Sequence, residues 1–289
     1  MKEIVKEKIA SLLSGDEEIQ SVEQLGGMTN QNYLVQTSSN RYIVKFFGKG
    51  TEKLIDRQNE KFNIELLKDL KLDVENYLFD IEAGIKVNQY IENAETFDSN
   101  TIKTKFEKIA PILQTIHASG KELKGEFAPF EEIKKYETLI QGEISYPNYE
   151  VVRKSVFSLK DQLEQIGIEK KSCHIDLVPE NFIEGPDGHL YLIDWEYSSM
   201  NDPMWDLAAL FLESEFTSAE EEDFLSHYEG DKTPVSREKI RIYKILQDII
   251  WSLWTIYKEE NGADFGDYGI TRYNRAVKEL QSQGGIDED

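Results

Sequence analysis

Apolar and polar positions follow two rhythms along this chain. In SVEQLGGMTNQNYLVQTSSNRYIVKFFG, residues 21–48, short apolar and aromatic clusters are broken by Gly26-Gly27, Asn30 and Ser38-Ser39-Asn40. That punctuation predicts strand, turn, strand, turn, strand. From Thr51 to Leu70 the spacing of Leu54, Ile55, Phe62, Leu66, Leu67 and Leu70 predicts one helix. NYLFDIE and GIKVNQYIE add two short strands, completing a sheet of about five. Beyond Asn93 the rhythm is helical, in TIKTKFEKIAPILQTIHAS, FEEIKKYETLIQ, YEVVRKSVFSLKDQLEQI, WDLAALFLES, SAEEEDFLSHYE and REKIRIYKILQDIIWSLWTIYKEE. One stretch interrupts it: NFIEGPDGHLYLIDW reads as two strands about a GPDG turn, a hairpin inside a helical lobe. The opening MKEIVKEKIASLL mixes Glu with Lys and reads as an amphipathic helix, not a signal peptide. The acidic end GGIDED reads as disordered. The expected architecture is α+β, with an N-terminal lobe at residues 1–91 and a mostly helical lobe at residues 92–289.

Composition narrows the function classes. A chain of 289 residues with 39% hydrophobic content can bury a sizeable core. Its 33 basic and 55 acidic residues leave a net charge of −22, which repels phosphate backbones and anionic membrane surfaces, so neither nucleic acid nor membrane insertion is expected. No apolar run approaches the roughly 18 to 20 residues of a membrane span; the best, ILQDIIWSLWTIY, carries Gln247 and Asp248. A single cysteine, Cys173, excludes an intrachain disulfide, and the four histidines show no zinc-ligand spacing. A reducing, cytoplasmic setting is the expectation.

The candidate chemistry sits in CHIDLVPENF, residues 173–182. His174, Asp176 and Asn181 form His-x-Asp-x-x-x-x-Asn, the spacing of a kinase catalytic loop. In such a loop a carboxylate orients an acceptor hydroxyl and takes its proton, a role open to Asp176, while Asn181 offers a neutral oxygen to Mg²⁺ and His174 orients the loop. A second carboxylate must hold the metal against nucleotide phosphates, and the hairpin returns Asp194 of LIDWEY beside Asn181. In the N-terminal lobe, the turn Gly26-Gly27-Met28-Thr29-Asn30 can bring backbone N–H groups close to phosphate oxygens. Lys45 lies in an otherwise apolar strand, where its ammonium needs phosphates and a helix carboxylate as partners. Glu60 is the first choice for that carboxylate, ahead of Glu65 and Asp56. GKGT at residues 48–51 lacks P-loop spacing and is rejected.

The segments GGMTNQNY, YIVKFFG, HIDLVPENF, LIDWEYSSMNDPMWDLAALFLE and IIWSLWTIYKEENGADFGDYGITRY resemble, in that order and over nearly the whole chain, the bacterial choline kinases. These are small-molecule phosphotransferases of the choline/ethanolamine kinase family with a two-lobed protein-kinase-like fold. The resemblance implies ATP and Mg²⁺ as cofactors, choline as acceptor, and phosphocholine for decorating cell-surface glycopolymers. It implies Asp176 as catalytic base, Asn181 and Asp194 as metal ligands, Lys45 and Glu60 as a phosphate-anchoring pair, and the backbone of Gln89, Tyr90 and Ile91 as the adenine edge. Eukaryotic members carry a further tyrosine just after the glutamate that matches Glu213, where this chain reads SEFTSAE and offers Phe216.

Aromatic residues of the C-terminal half fit such an acceptor on their own chemistry. A quaternary ammonium cannot donate hydrogen bonds, so its binding rests on cation–π attraction to ring faces. Trp251 and Trp254 share a helix face, Tyr197 follows Asp194 by three residues, Tyr268 sits in a glycine-flanked loop, and Glu213 can add long-range charge balance. Tryptophans at helical spacing also suit a plain core. Asp202 reads as a helix cap, Asp206 as a brace behind the catalytic loop, and His117 as a packed histidine. Two other readings stay open. One is an aminoglycoside or other amino-alcohol phosphotransferase, with ethanolamine among its acceptors; the other is a nucleotide-binding scaffold without catalysis, which Asp176, Asp194 and Lys45 argue against.

Overall fold

A computed structural model describes residues 2–9 and 17–282. The end of the first predicted helix and the GGIDED tail lie outside them. Packing divides the chain into two units: residues 1–98 with 179–197, and residues 99–178 with 198–289. The first unit thus takes in the predicted 1–91 lobe, runs on to residue 98, and includes the 179–197 segment.

In chain order the first segment carries α1 (Lys2–Ile9), β1 (Ile19–Gln24), β2 (Gln31–Thr37), β3 (Arg41–Phe46), α2 (Arg57–Leu67), β4 (Asn76–Asp80), β5 (Ile85–Gln89) and β6 (Glu95–Thr96). Then come α3 (Phe106–His117), α4 (Pro129–Leu139), α5 (Tyr149–Ile166), β7 (Lys171–Cys173) and the hairpin β8 (Phe182–Glu184) and β9 (Leu190–Leu192). The chain continues through β10 (Ser199–Asn201), α6 (Pro203–Glu213), α7 (Ser218–Tyr228), α8 (Arg237–Glu260) and α9 (Tyr268–Ser282).

In the first unit, β1 to β5 form an antiparallel sheet in the order β1-β2-β3-β5-β4. Alternating residues Tyr33 and Val35, Tyr42 and Val44, and Ile85 and Val87 bury one face with Val5 and Ile9 of α1, the period-2 pattern of a half-buried sheet. The helix predicted over residues 51–70 is split. A 3₁₀ turn at Thr51–Lys53 ends before Asp56, whose extended backbone and side-chain bonds to the Gln58 and Asn59 N–H groups, at 3.0 and 3.1 Å, start α2 afresh. Capping outcompetes helical continuity there. The predicted hairpin forms β8 and β9, joined by the two-residue strand β6 into a small antiparallel sheet.

In the second unit α8 packs against α4, α5, α6 and α9, which explains why its residues are buried around most of its circumference. The pattern read as a loop around Tyr268 is instead the start of α9, whose buried residues Gly269, Arg272, Tyr273, Ala276 and Leu280 keep helical spacing. Gly269 permits that contact, since a Cβ there would lie 2.5 Å from the Tyr146 hydroxyl and 2.9 Å from Thr255 Cβ. β7 pairs with β10, so the segment that starts at His174 leaves directly from a strand pair. Phe216, at the position where eukaryotic members carry the further tyrosine, packs among Phe106, Phe211 and Phe224. Among the described residues no helix is long and apolar enough to cross a membrane.

Candidate active site

Within the first unit, the β3–β5 register sets Lys45 directly opposite Lys86. Two buried ammonium groups on one face repel and demand two carboxylates. Glu60 of α2 takes Lys86 at 3.0 Å and Arg57 at 2.7 Å, while Lys45 takes Asp194 at 2.6 Å. The expected Lys45–Glu60 ion pair is therefore not made; Glu60 acts on Lys45 only at longer range. Burial opposes the charge on Lys45, but Asp194, Glu196 and Glu60 outweigh it and hold the ammonium above its usual pKa. Burial likewise opposes charge on Glu60, and Lys86, Arg57 and Lys45 more than compensate, lowering its pKa. Glu65 is exposed beside Lys68, and Asp56 is spent as a cap.

Asp194 has φ 68°, a left-handed conformation uncommon outside glycine, and the Ile193 N–H bonds the Asn181 carbonyl at 2.9 Å. The hairpin thus does bring Asp194 back to Asn181, as its spacing predicted. A carboxylate and a neutral amide at one hairpin end are hard oxygen donors of the kind Mg²⁺ takes.

The turn between β1 and β2 needs glycine at Gly27, where φ is 153° and a Cβ would lie 2.6 Å from the Asn30 carbonyl. Met28 is exposed, and Thr29 packs so closely on Gly48 that a Cβ there would clash with its carbonyl. Asn30 is turned inward: its Nδ2 donates to Glu196 at 2.6 Å and its Oδ1 accepts from Arg57 at 2.9 Å. Of the adenine edge, the Gln89 N–H already donates to the Glu75 carbonyl at 2.8 Å. Tyr90, with Arg41 over its ring, and Ile91 follow on a half-buried stretch. Tyr197 closes this unit's second segment.

Within the second unit the loop that follows β7, which carries His174 and Asp176, is gripped from α6. The fully buried Asp206 accepts the N–H groups of His174 and Ile175, both at 2.8 Å, and faces His117 Nε2 at 3.0 Å. His117 Nδ1 meets the Tyr228 hydroxyl at 2.7 Å. The Trp205 indole N–H donates to the Ile175 carbonyl at 3.0 Å. Both sides of Ile175 are thus held, and its backbone has φ 79°, a costly conformation for a β-branched residue. The strain lies one residue before Asp176. His117, Cys173 and Asp206 come close enough to suggest a metal cluster, but His117 and Asp206 bond each other and Cys173 Sγ bonds the Asn201 carbonyl, so this is a packed brace. Asp202 caps α6 through the Met204 N–H and pairs with Lys239.

The aromatic set is broader than the sequence indicated. Trp254 packs on Phe265 and Phe265 on Tyr268, with ring centres 5.0 and 6.5 Å apart. Trp251 meets Phe127, which leans on Trp205. Trp251 and Trp254 are 8% and 4% exposed. Tyr136 and Tyr268 both have pKa values raised by burial, with Asp176 adding to the rise, which brings both phenols within electrostatic reach of the loop. Glu213 is held by both terminal nitrogens of Arg272, so its charge is already balanced and it is not an open counter-charge. Arg272 lies 5.0 Å from the Tyr268 ring centre, and Asp248 joins it at 3.5 Å. Sequence reading missed Arg57, Lys86, Phe265 and Arg272; Arg57, Lys86 and Arg272 are cations at buried helix or strand positions, which is the one signal they gave, while Phe265 lies half-buried in the loop before α9 and gave none.

The profile described as Choline/ethanolamine kinase matches residues 22–240. Protein LicA of Haemophilus influenzae is 31% identical over 269 residues, covering 89% of this chain and 79% of that protein. The crystal structure of choline kinase LicA from Streptococcus pneumoniae has 76% identity and a TM-score of 0.95, covering 98% of this chain and 99% of that one. A LicA structure in complex with AMP has 77% identity and a TM-score of 0.92, covering 97% and 98% of the two chains.

Proposed function

The chain belongs to the choline/ethanolamine kinase family, and from that premise we propose that it transfers the γ-phosphoryl group of ATP to the hydroxyl of choline, giving phosphocholine. The observation that carries this reading is Lys45 on Asp194 at 2.6 Å in the first unit, a phosphate-anchoring ammonium presented with a metal-binding carboxylate. AMP in the closely similar LicA structure supports a nucleotide site. Asn181 and Asp194 would hold Mg²⁺, which when bound neutralises phosphate charge and orients the phosphates. Lys45 exchanges part of its hold on Asp194 for phosphate oxygens. The turn at Gly26 to Asn30 covers the phosphates with its backbone, and the chain beyond Gln89 reads the adenine.

Asp176 accepts the proton of the choline hydroxyl as the oxygen attacks phosphorus, and the bond to the β-phosphate oxygen breaks to release ADP. Asp206 and Trp205 hold the loop so that Asp176 need not reorganise at that moment. His174 anchors the loop through its backbone N–H. The trimethylammonium head suits the rings of Trp251, Trp254 and Tyr268, which attract it without hydrogen bonds. Glu213 contributes by fixing Arg272 behind Tyr268. The proposed setting is the cytoplasm, where the buried Cys173 thiol stays reduced. The test is ³¹P NMR of the purified protein with ATP, Mg²⁺ and choline. Phosphocholine should accumulate with ADP in equal amounts, and ATP consumption without phosphocholine would refute the reading.

A further inference from the structure

Arg57 occupies a position that stability alone does not favour. It is the first residue of α2, where the helix dipole disfavours a cation. It is 7% exposed, and its Nε–H is buried with no hydrogen-bond partner. Three partners offset these costs. One terminal nitrogen donates to Glu60 at 2.7 Å and to Glu196 at 2.9 Å, and the other donates to Asn30 Oδ1 at 2.9 Å. Its guanidinium lies 4.1 Å from the Phe47 ring centre. The three partners come from three separate segments: the phosphate-approaching turn, helix α2, and the loop two residues beyond Asp194. Asn30 also bonds Glu196 directly at 2.6 Å, which closes a triangle.

We infer that Arg57 is a positioning residue for nucleotide binding, which locks the Gly26–Asn30 turn to the metal-binding loop through Asn30 and Glu196. The inference rests on the phosphotransferase reading above. The planar fork of arginine is what allows three simultaneous partners, and a lysine keeps the charge but cannot span them. In a protein kinase the strand-β3 lysine pairs with the helix glutamate. In this chain Lys86 and Arg57 occupy Glu60, so Arg57 becomes the link between helix, turn and metal loop.

A double-mutant cycle on the full-length protein with Arg57→Lys and Asn30→Ala tests this, reading the KM for ATP, the KM for choline and MgADP affinity. Each single variant should raise the ATP KM about tenfold with the choline KM changed less than about twofold, and the double variant should show about the same tenfold because both break one lock. An unchanged ATP KM, a multiplicative effect of about a hundredfold, or equal rises in both KM values would overturn the inference. If Arg57→Lys does not fold, Asn30→Ala with Glu196→Gln carries the same cycle and the same outcomes. Wild-type protein that makes no phosphocholine would instead defeat the underlying reading, a result distinct from any of these.

Discussion

Asp206→Asn is the substitution whose consequence follows most directly from the geometry. The wild-type carboxylate spends both oxygens on three donors: the His174 N–H, the Ile175 N–H and the His117 ring nitrogen. An asparagine has one acceptor oxygen, so whichever way its amide turns, its NH₂ faces a loop N–H 2.8 Å from the atom it replaces. The site is fully buried, so water cannot compensate. Leaving one buried donor unmatched costs about 1 to 3 kcal/mol, and weakening the remaining charge-assisted bonds adds about 1 to 2 more. A total of about 2 to 5 kcal/mol should lower the thermal midpoint by roughly 4 to 20 °C. Ile175, released on its N–H side, would relax from φ 79° and carry Asp176 with it. A displacement of about 1 Å at a catalytic group costs on the order of 10² in kcat. Circular dichroism melting and ADP release at saturating ATP and choline measure both effects. A midpoint within about 2 °C of wild type together with kcat within threefold would show that the brace does not set the loop.

Asp176→Asn should keep the fold and MgADP binding while kcat falls by about 10² to 10⁴, because it removes the proton acceptor and little else; a near-normal kcat would take Asp176 out of the mechanism. Trp254→Leu keeps apolar bulk but removes the ring face, so the choline KM should rise several-fold to tens-fold, about 1 to 2 kcal/mol, with the ATP KM unchanged. A lower melting temperature with normal choline KM would mark Trp254 as plain core. Burial pushes the Asp73 carboxyl up to about 6 against the pull of Lys86 and the Val74 N–H. A carboxyl raised on folding contributes stability in acid that is lost as pH rises through about 6. Asp73→Asn should therefore stabilise the protein by about 1 to 2 kcal/mol at pH 7.5, an advantage that fades towards pH 4; a less stable variant at pH 7.5 would contradict this.

Local pattern carried α5 and α8, whose predicted and observed spans coincide, because a long amphipathic repeat has one good solution. The hairpin that follows Asn181 and ends before Asp194 was legible for a related reason: a tight turn such as GPDG leaves the two strands beside it little choice but to pair. Charge pairing was not legible in the same way. Lys45 needs a carboxylate by burial alone, but which one it takes is decided by Lys86 across the β3–β5 ladder, and that register is a tertiary fact. Arg57 was invisible for the same reason, since its partners lie 3, 27 and 139 positions away. Helix α9 escaped because Gly266 and Gly269 read as loop punctuation, whereas Gly269 serves close packing against α8. Glu213 could be named from sequence, but its pairing with Arg272 could not, and that pairing turns it from a counter-charge into a support.

The central claim is that the acceptor is choline, selected by rings. Coupled ADP release with choline, ethanolamine and kanamycin as alternative acceptors, each taken to kcat/KM at fixed MgATP, tests it most directly. Choline should exceed ethanolamine, and should exceed kanamycin by at least about a hundredfold, since a cation held by ring faces and few open carboxylates suits a single methylated head. Kanamycin turnover equal to or above that with choline, or ADP release indifferent to the acceptor, would contradict the account.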